Sequence, residues 1–331
     1  MRNFLVIMLI FILTSCGDTP PSVDRGTLMW ETYGDLYDEL EFYVHENDYK
    51  MLEKLGNEIR TKGLRFQSGM PALWVFYSGI KQTHNVIQNT YEFIEKWRNA
   101  SPETNMPYIV YAIALCDRAG DIRGTATIDK ISDAIYAEFK AKLKESWDMI
   151  LIAEDKGPVD AELLNVKMEL MFLLHGDKES AYKIMDQCFK VDPTYYPAYL
   201  TMMHFLQGKW YGSDKEMMEF VDNYSSKARS IEGDGVYARL AYGRVRYSNN
   251  LFKEGFSWKR AKKGFHHLFK RYGKNEHLLY RYGYLAMLVS DHKALAEVID
   301  EVGIEWNKLK QNYFKKKSWY EWHANKAKKY L

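Results

Sequence analysis

Cysteine is scarce in this chain, at three in 331 residues, and so are proline, at eight, and glycine, at 21. So little turn punctuation argues against a β-sandwich or propeller, which spend proline and glycine at every bend. No CxxC spacing occurs, so the cysteines do not suggest a metal site. Neither sign of charge dominates: 46 Lys and Arg face 44 Asp and Glu, which with 47% hydrophobic residues excludes a disordered acidic or basic tail. HExxH, GxSxG, P-loop and Rossmann fingerprints are all missing. His266 and His267 are adjacent, so on a helix they point about 100° apart and cannot share one metal. No cofactor and no metal is implied.

Aromatic side chains are plentiful, at 15% with 25 Tyr. Such rings either fill the space between packed elements or form a binding surface. The charge balance also conceals a split. From Leu251 onward there are 18 Lys and Arg against 8 Asp and Glu, a net of +10, and the preceding 250 residues carry −8. A mildly acidic body therefore precedes a basic C-terminal quarter.

The N-terminus reads as an address. Arg2 precedes an apolar run from Phe4 to Leu13, too short for a permanent membrane span of roughly 20 residues but suited to an export signal. The run ends in Leu13-Thr14-Ser15-Cys16, which resembles the lipobox of bacterial lipoproteins. The resemblance implies a signal peptide over 1–15, cleavage before Cys16, and acylation of its thiol and new amino group, with 16–27 as a polar tether. Several acyl chains anchor stably, since each buried methylene contributes about 0.8 kcal/mol. Gly17, rather than Asp, follows the Cys, which favours the outer over the inner membrane of the bacterial envelope. An ordinary export signal with an incidental Cys is the alternative. Cys116 and Cys188 lie in apolar helical contexts, where they act as small hydrophobes or pair in an oxidising compartment.

Residues 28–331 carry apolar side chains at three- and four-residue steps, which predicts an all-α domain. Stripes fall near Trp30–Val44, Tyr49–Ile59, Thr83–Trp97, Met106–Arg118, Ile128–Ala153, Ala161–Leu174, Glu179–Val191 and Tyr196–Leu206, then Ser213–Ala228, Val236–Tyr247, Phe256–Phe269, His277–Val289, Lys293–Val302 and Tyr313–Tyr330. The breaks between them are short, as at Gly157-Pro158, Gly176-Asp177 and Asp192-Pro193, so neighbouring helices should run antiparallel. Ala181, Met185, Cys188 and Pro193 match the second helix of a tetratricopeptide repeat (TPR), with Phe172 at the aromatic position of the first. Ala261, Phe265 and Leu268 echo the pattern, and Ala294 and Val298 do so more faintly. The expectation is a degenerate TPR-like stack of helical hairpins, with an irregular bundle as the alternative.

A further set of motifs runs in order: Leu64-Arg65-Phe66-Gln67-Ser68-Gly69-Met70-Pro71-Ala72-Leu73, Phe76-Tyr77-Ser78-Gly79-Ile80, Trp97-Arg98-Asn99-Ala100-Ser101-Pro102, Pro197-Ala198-Tyr199, Gly208-Lys209-Trp210-Tyr211-Gly212-Ser213, Gly235-Val236-Tyr237-Ala238-Arg239 and Trp258-Lys259-Arg260. It resembles a bacterial TPR-like family of unknown function with a Leu-Pro-x-Trp-Gly-Gly-Ser core, here loosened because Gln207-Gly208 and Tyr211 replace three of its positions. The resemblance implies a helical fold over about Asp48 to Ala286 and no particular activity.

Two binding regions are expected. In the turn at 208–213, Gly212 suits a positive φ, Ser213 and Glu216 suit a capping box, and Trp210 packs as a lid over its hairpin. Alternatively, Trp210 and Tyr211 join Tyr195, Tyr196 and Tyr199 as an aromatic platform on a concave face, holding a sugar, peptide or lipid chain. In the basic C-terminal segment, Lys259, Arg260, Lys262, Lys263, Lys270 and Arg271 interleave with Trp258, Phe265 and Phe269. There Lys315-Lys316-Lys317 also precede Trp319, Tyr320 and Trp322. In an exported protein such a surface suits anionic lipid or an envelope polymer rather than nucleic acid, or is simply a solvated helix face. The expected role is non-catalytic binding of a protein, peptide or polymer. A glycan-active enzyme of the helical-toroid type and a structural envelope protein are the alternatives; two carboxylates about 5–10 Å apart in a deep cleft would mark the enzyme.

Overall fold

Helix starts in this chain are written in short polar side chains. Asp48, Ser132, Asp160, Asp177, Ser213, Ser257, Asn275 and Asp291 each accept the backbone amide three residues on, satisfying a donor that the first helical turn leaves free. Gly63 and Gly176 end their helices in the left-handed conformation. The computed structural model describes residues 33–82, 87–126, 130–314 and 316–331, and among these it is all-helical, with seventeen α-helices and no strand. The signal, Cys16, the tether, Trp30 and Lys315 lie outside the described residues.

Two short helices, α1 (Tyr33–His45) and α2 (Tyr49–Lys62), open the described chain and pack on α3 (Ala72–Gln82). An inner row follows: α3, α5 (Met106–Arg123), α7 (Ala161–His175), α9 (Tyr196–Phe205), α12 (Gly235–Arg244), α14 (Glu276–Leu288) and α16 (Lys308–Phe314). Behind it stand α4 (Ile87–Ala100), α6 (Asp133–Lys156), α8 (Lys178–Val191), α10 (Asp214–Lys227), α13 (Trp258–Tyr272), α15 (His292–Val302) and α17 (Lys317–Ala327), each packed on one or two inner helices. A one-turn helix, α11 (Arg229–Glu232), leads into α12. Ala181, Met185 and Cys188 are buried on α8 and Phe172 on α7, while Pro193 follows the end of α8. Cys116 and Cys188 are both free thiols.

Two departures from the sequence reading have simple causes. Helix α3 was not among the stripes, because Ala72 to Tyr77 is an unbroken apolar run, buried on most sides, that masks the pattern of the helix around it. The last stripe, Tyr313–Tyr330, is two helices, α16 and α17.

Two polar assemblies hold the rows in place. The first centres on Asp160, whose Oδ2 accepts from Arg60 Nε at 3.0 Å and from the Tyr77 hydroxyl at 2.7 Å, while Oδ1 caps α7 at Leu163 N at 2.9 Å. Arg60 Nη2 also donates to Tyr77 and to Asn105, and Asn105 donates to the Pro158 carbonyl, so α2, α3, α5 and α7 meet at one buried guanidinium.

The second is the loop between α2 and α3. Leu64 and Phe66 are buried, and Arg65 and Pro71 pair across it as an isolated bridge. Arg65 donates to Asp192 and Thr194 ahead of α9, the Ser68 carbonyl accepts from Arg239 on α12 at 3.0 Å, and Asn275 ahead of α14 donates to the Gln67 carbonyl. Tyr33, at the start of α1, bonds the Ser68 hydroxyl and stacks on His277 of α14. The N-terminal loop thus reaches helices far along the chain. Gly69 makes this possible: its φ is +72°, and a Cβ there would collide with Arg239 and Tyr272.

Candidate binding cavity

The inner row encloses a cavity of about 800 Å³. Each helix presents residues three, four or seven apart to it, the spacing of one helical face. Trp74, Ser78 and Lys81 come from α3; Glu162, Asn165, Val166 and Glu169 from α7; Tyr196, Leu200, Thr201 and His204 from α9; Arg239, Tyr242 and Gly243 from α12; Arg281 and Tyr284 from α14; and Tyr313 from α16. Cys116 and Asp117 of α5 complete the wall, and Met70 of the α2–α3 loop also lines it. Lys81 and Arg246 sit at or just past the C-terminal ends of their helices, where cations meet the negative end of the helix dipole, and His204 stands near the end of α9. Lys140 of α6 caps α7 in a similar way, donating to the Leu173 and Leu174 carbonyls near its end.

The wall on α7 is acidic and largely buried. Glu162 is 5% exposed, accepts from the Tyr195 hydroxyl at 2.6 Å and from Asn165 at 3.0 Å, and burial pushes its pKa up to about 8 despite those two donors. Asn165 in turn accepts from Thr201 at 2.8 Å, joining α7 to α9. Glu169 lies two turns beyond Glu162 on the same face, and burial alone raises its pKa. Cys116 packs beside it, its thiol pushed well up chiefly by burial.

The opposite wall is cationic and aromatic. Arg239 is 5% exposed, its guanidinium held between the rings of Tyr196 and Tyr272 at 4.7 and 5.4 Å, with Glu232 3.6 Å from its Nε. Arg281 is surrounded by Tyr33, Tyr196, Tyr242 and Tyr313, and its guanidinium carbon lies 5.3 Å from the Tyr242 ring centre. Its Nε is buried without a hydrogen-bond partner, and among the described residues it forms no salt bridge. At the rim, burial with Lys209 and Arg246 nearby pushes His204 down to about 4, so it is neutral at pH 7, and its Nδ1 is unpaired.

The five aromatic residues singled out in the sequence do not form one platform. Tyr195 and Tyr199 are 1% and 0% exposed: Tyr195 is committed to Glu162, and Tyr199 donates to the Pro193 carbonyl at 2.5 Å and packs against Phe220 and Tyr224. The helical twist explains this, because Tyr195 and Tyr199 face the packed side of α9 while Tyr196 faces the cavity. Trp210 and Tyr211 are 38% and 37% exposed on the turn after α9. Trp210 leans on His204 and Phe205, which line the cavity, while Tyr211 stacks on Phe172 at 5.6 Å and covers Gly176. Gly212 has no positive φ; its requirement is space, since a Cβ would strike the Leu206 carbonyl. Ser213 caps α10 through Glu216 N, and its hydroxyl bonds the Glu216 carboxylate.

The basic C-terminal segment is partly neutralised from within. Arg260 pairs with Asp222 and Asp234, Lys262 with Asp291 and Glu297, and Lys274 with Glu301. Lys259, Lys263 and Lys270 remain exposed along α13, whose buried face carries Ala261, Phe265, Leu268 and Phe269.

The cavity residues Glu162, Asn165, Glu169 and Arg281 escaped the sequence reading. Their signal is nonetheless present: α7 is apolar almost all round except for polar residues at steps of three, four and seven, which is what a wet groove inside a core requires. No protein-family model, curated protein or solved structure matches this chain.

Proposed function

We propose that this chain is a lipid-anchored protein of the bacterial envelope whose TPR-like hairpins curve round a non-catalytic binding cavity. The observation that carries this reading is the alignment of one face from each inner helix on a common space containing unpaired polar groups. Folded proteins rarely bury unpaired donors unless a partner or ligand completes them. The alternation of inner and outer helices and the buried Ala181, Met185 and Cys188 favour the hairpin-stack architecture over an irregular bundle. The ligand enters past Trp210 and Tyr247, 38% and 41% exposed beside the cavity's His204, and the exposed lysines of α13 face anionic lipid or polymer.

The test is retention of ligand from a detergent extract of the envelope, read by mass spectrometry. Wild type should hold a compound that Ser78→Trp, whose indole intrudes into the cavity, releases. Equal retention by both proteins, or none by either, refutes the reading. The anchor is separately testable: Cys16→Ala should abolish incorporation of a fatty-acid probe.

Glu162 favours a second reading, a glycan-active enzyme, because a carboxyl that burial pushes up to about 8 is a ready general acid, and Glu169 lies on the same face of α7. Turnover of envelope glycans that disappears in Glu162→Gln would select it over binding.

A further inference from the structure

The cavity holds one charge that the fold can neither pair nor discharge. Of the Lys and Arg side chains that line it, Arg239 stands against Glu232 and Lys81 pairs with Asp117. Arg246 is exposed past the end of α12, where water solvates it. The carboxyls on α7 have a release that an arginine lacks: burial raises the pKa of both Glu162 and Glu169, so each sheds its charge by taking up a proton. A guanidinium stays protonated at any working pH. Arg281 on α14 therefore keeps a full positive charge among Tyr33, Tyr196, Tyr242 and Tyr313, and it forms no salt bridge among the described residues. The Tyr242 ring centre lies 5.3 Å from its guanidinium carbon, but a ring face steadies a cation without satisfying its N–H donors. Tyr313 acts on it as a hydrogen-bond partner and bonds His277 in turn. The Tyr196 and Tyr242 hydroxyls line the same cavity and bond nothing among the described residues.

We propose that the cavity binds an organic acid with a single carboxylate and an apolar body, its carboxylate on Arg281 and the hydroxyls of Tyr196 and Tyr242. The proposal rests on the cavity being the binding site and names its ligand class. A planar guanidinium matches a carboxylate with two parallel N–H donors, and neutral hydroxyls beside it complete the remaining lone pairs without adding charge. One permanent cation calls for one negative charge. A neutral sugar would leave Arg281 unpaired, and an amine would set a second cation beside it. A phosphate monoester brings a further negative charge that Arg239, already against Glu232, is not free to meet. The rest of the ligand follows from the rest of the wall. Trp74, Val166, Leu200 and Met203 offer apolar surface, and a space of about 800 Å³ admits a molecule of metabolite size.

The test is equilibrium dialysis of the full-length protein in neutral detergent, against a protein-free control, with four probes that share one body: phenylbutyrate, its amide phenylbutyramide, phenylbutylamine and phenylpropyl phosphate. Wild type should take up the acid at least about tenfold more tightly than the neutral amide, and should reject the amine. Arg281→Met should bring acid and amide within about twofold, Arg281→Lys should keep part of the preference, and Arg246→Met should weaken it less than Arg281→Met does. The probe series needs no variant, so a misfolded mutant does not blunt the result. No uptake, equal uptake of acid and amide, or a larger loss in Arg246→Met than in Arg281→Met overturns the proposal. Tighter uptake of the phosphate than of the acid overturns the carboxylate assignment. If the envelope compound released by Ser78→Trp is uncharged or cationic, the acid falls while the binding cavity stands. If Ser78→Trp releases nothing, both fall.

Discussion

Replacing Asp160 should reveal how much of the fold hangs on one carboxylate. Its side chain is 2% exposed and that of Arg60 is 8% exposed. One oxygen receives Arg60 and Tyr77 and the other caps α7, so asparagine, with a single acceptor oxygen, cannot serve both. Asp160→Asn should therefore cost about 3 kcal/mol or more, most of it from the stranded guanidinium. Asp160→Ala loses the cap as well, adding about 1 kcal/mol. With a urea slope of about 3 kcal/mol/M for a chain this long, the Asp160→Ala midpoint should fall by roughly 1–1.5 M. Arg60→Leu in the same chain should restore much of that loss, because no buried charge is left unpaired. A fall below about 0.3 M, or a double variant as unstable as the sum of the two single ones, would refute the account of α2, α3, α5 and α7 as joined through this pair.

Glu162 makes stability depend on pH. Burial pushes its pKa up to about 8, above the ordinary 4.5, so its favourable contribution is complete below about pH 4.5 and is lost as pH rises through 8. Urea midpoints should decline over that window in wild type and decline less in Glu162→Gln. Gly69→Ala should cost about 2–4 kcal/mol, from left-handed strain plus displacement of Arg239 and Tyr272, and should expose Arg65 to limited tryptic cleavage. Trp97→Ala, at a fully buried ring bonded to Glu53, should cost about 3–5 kcal/mol, whereas Trp210→Ala should cost about 1–2 kcal/mol by the same melts.

The helical class was legible because most helices bury one stripe and leave the rest wet, as α2 and α13 do with Leu52, Leu55 and Ile59 or Ala261, Phe265 and Leu268. Helix α3 was not, since the unbroken apolar run from Ala72 to Tyr77 masks its pattern. The cavity was hidden for a related reason. Tyr195 and Tyr196 are adjacent and chemically alike, yet one is sealed in the core and the other lines the open space. Only the packing of α7 and α12 on α9 decides which. Glu162 and Glu169 look like ordinary surface charges until the helices beside them are in place. The turn at 208–213 was read correctly in its cap at Ser213 and incorrectly in Gly212, because steric closeness to Leu206 leaves no trace in local sequence.

The loop that reaches from α2 across the inner row also sets a timetable. Ser68 meets Arg239 at a separation of 171 positions, and Gln67 meets Asn275 at 208. Chains with such distant contacts fold more slowly than those whose neighbours suffice. At about 5–20 residues per second of synthesis, Ser68 waits roughly 10–30 s for its partner to be made. A hairpin stack with only local contacts could mature from its first repeats onward. Here the ties between loop and α12 or α14 form last, so the chain closes its inner cavity in one late step and a C-terminally shortened chain loses that wall outright.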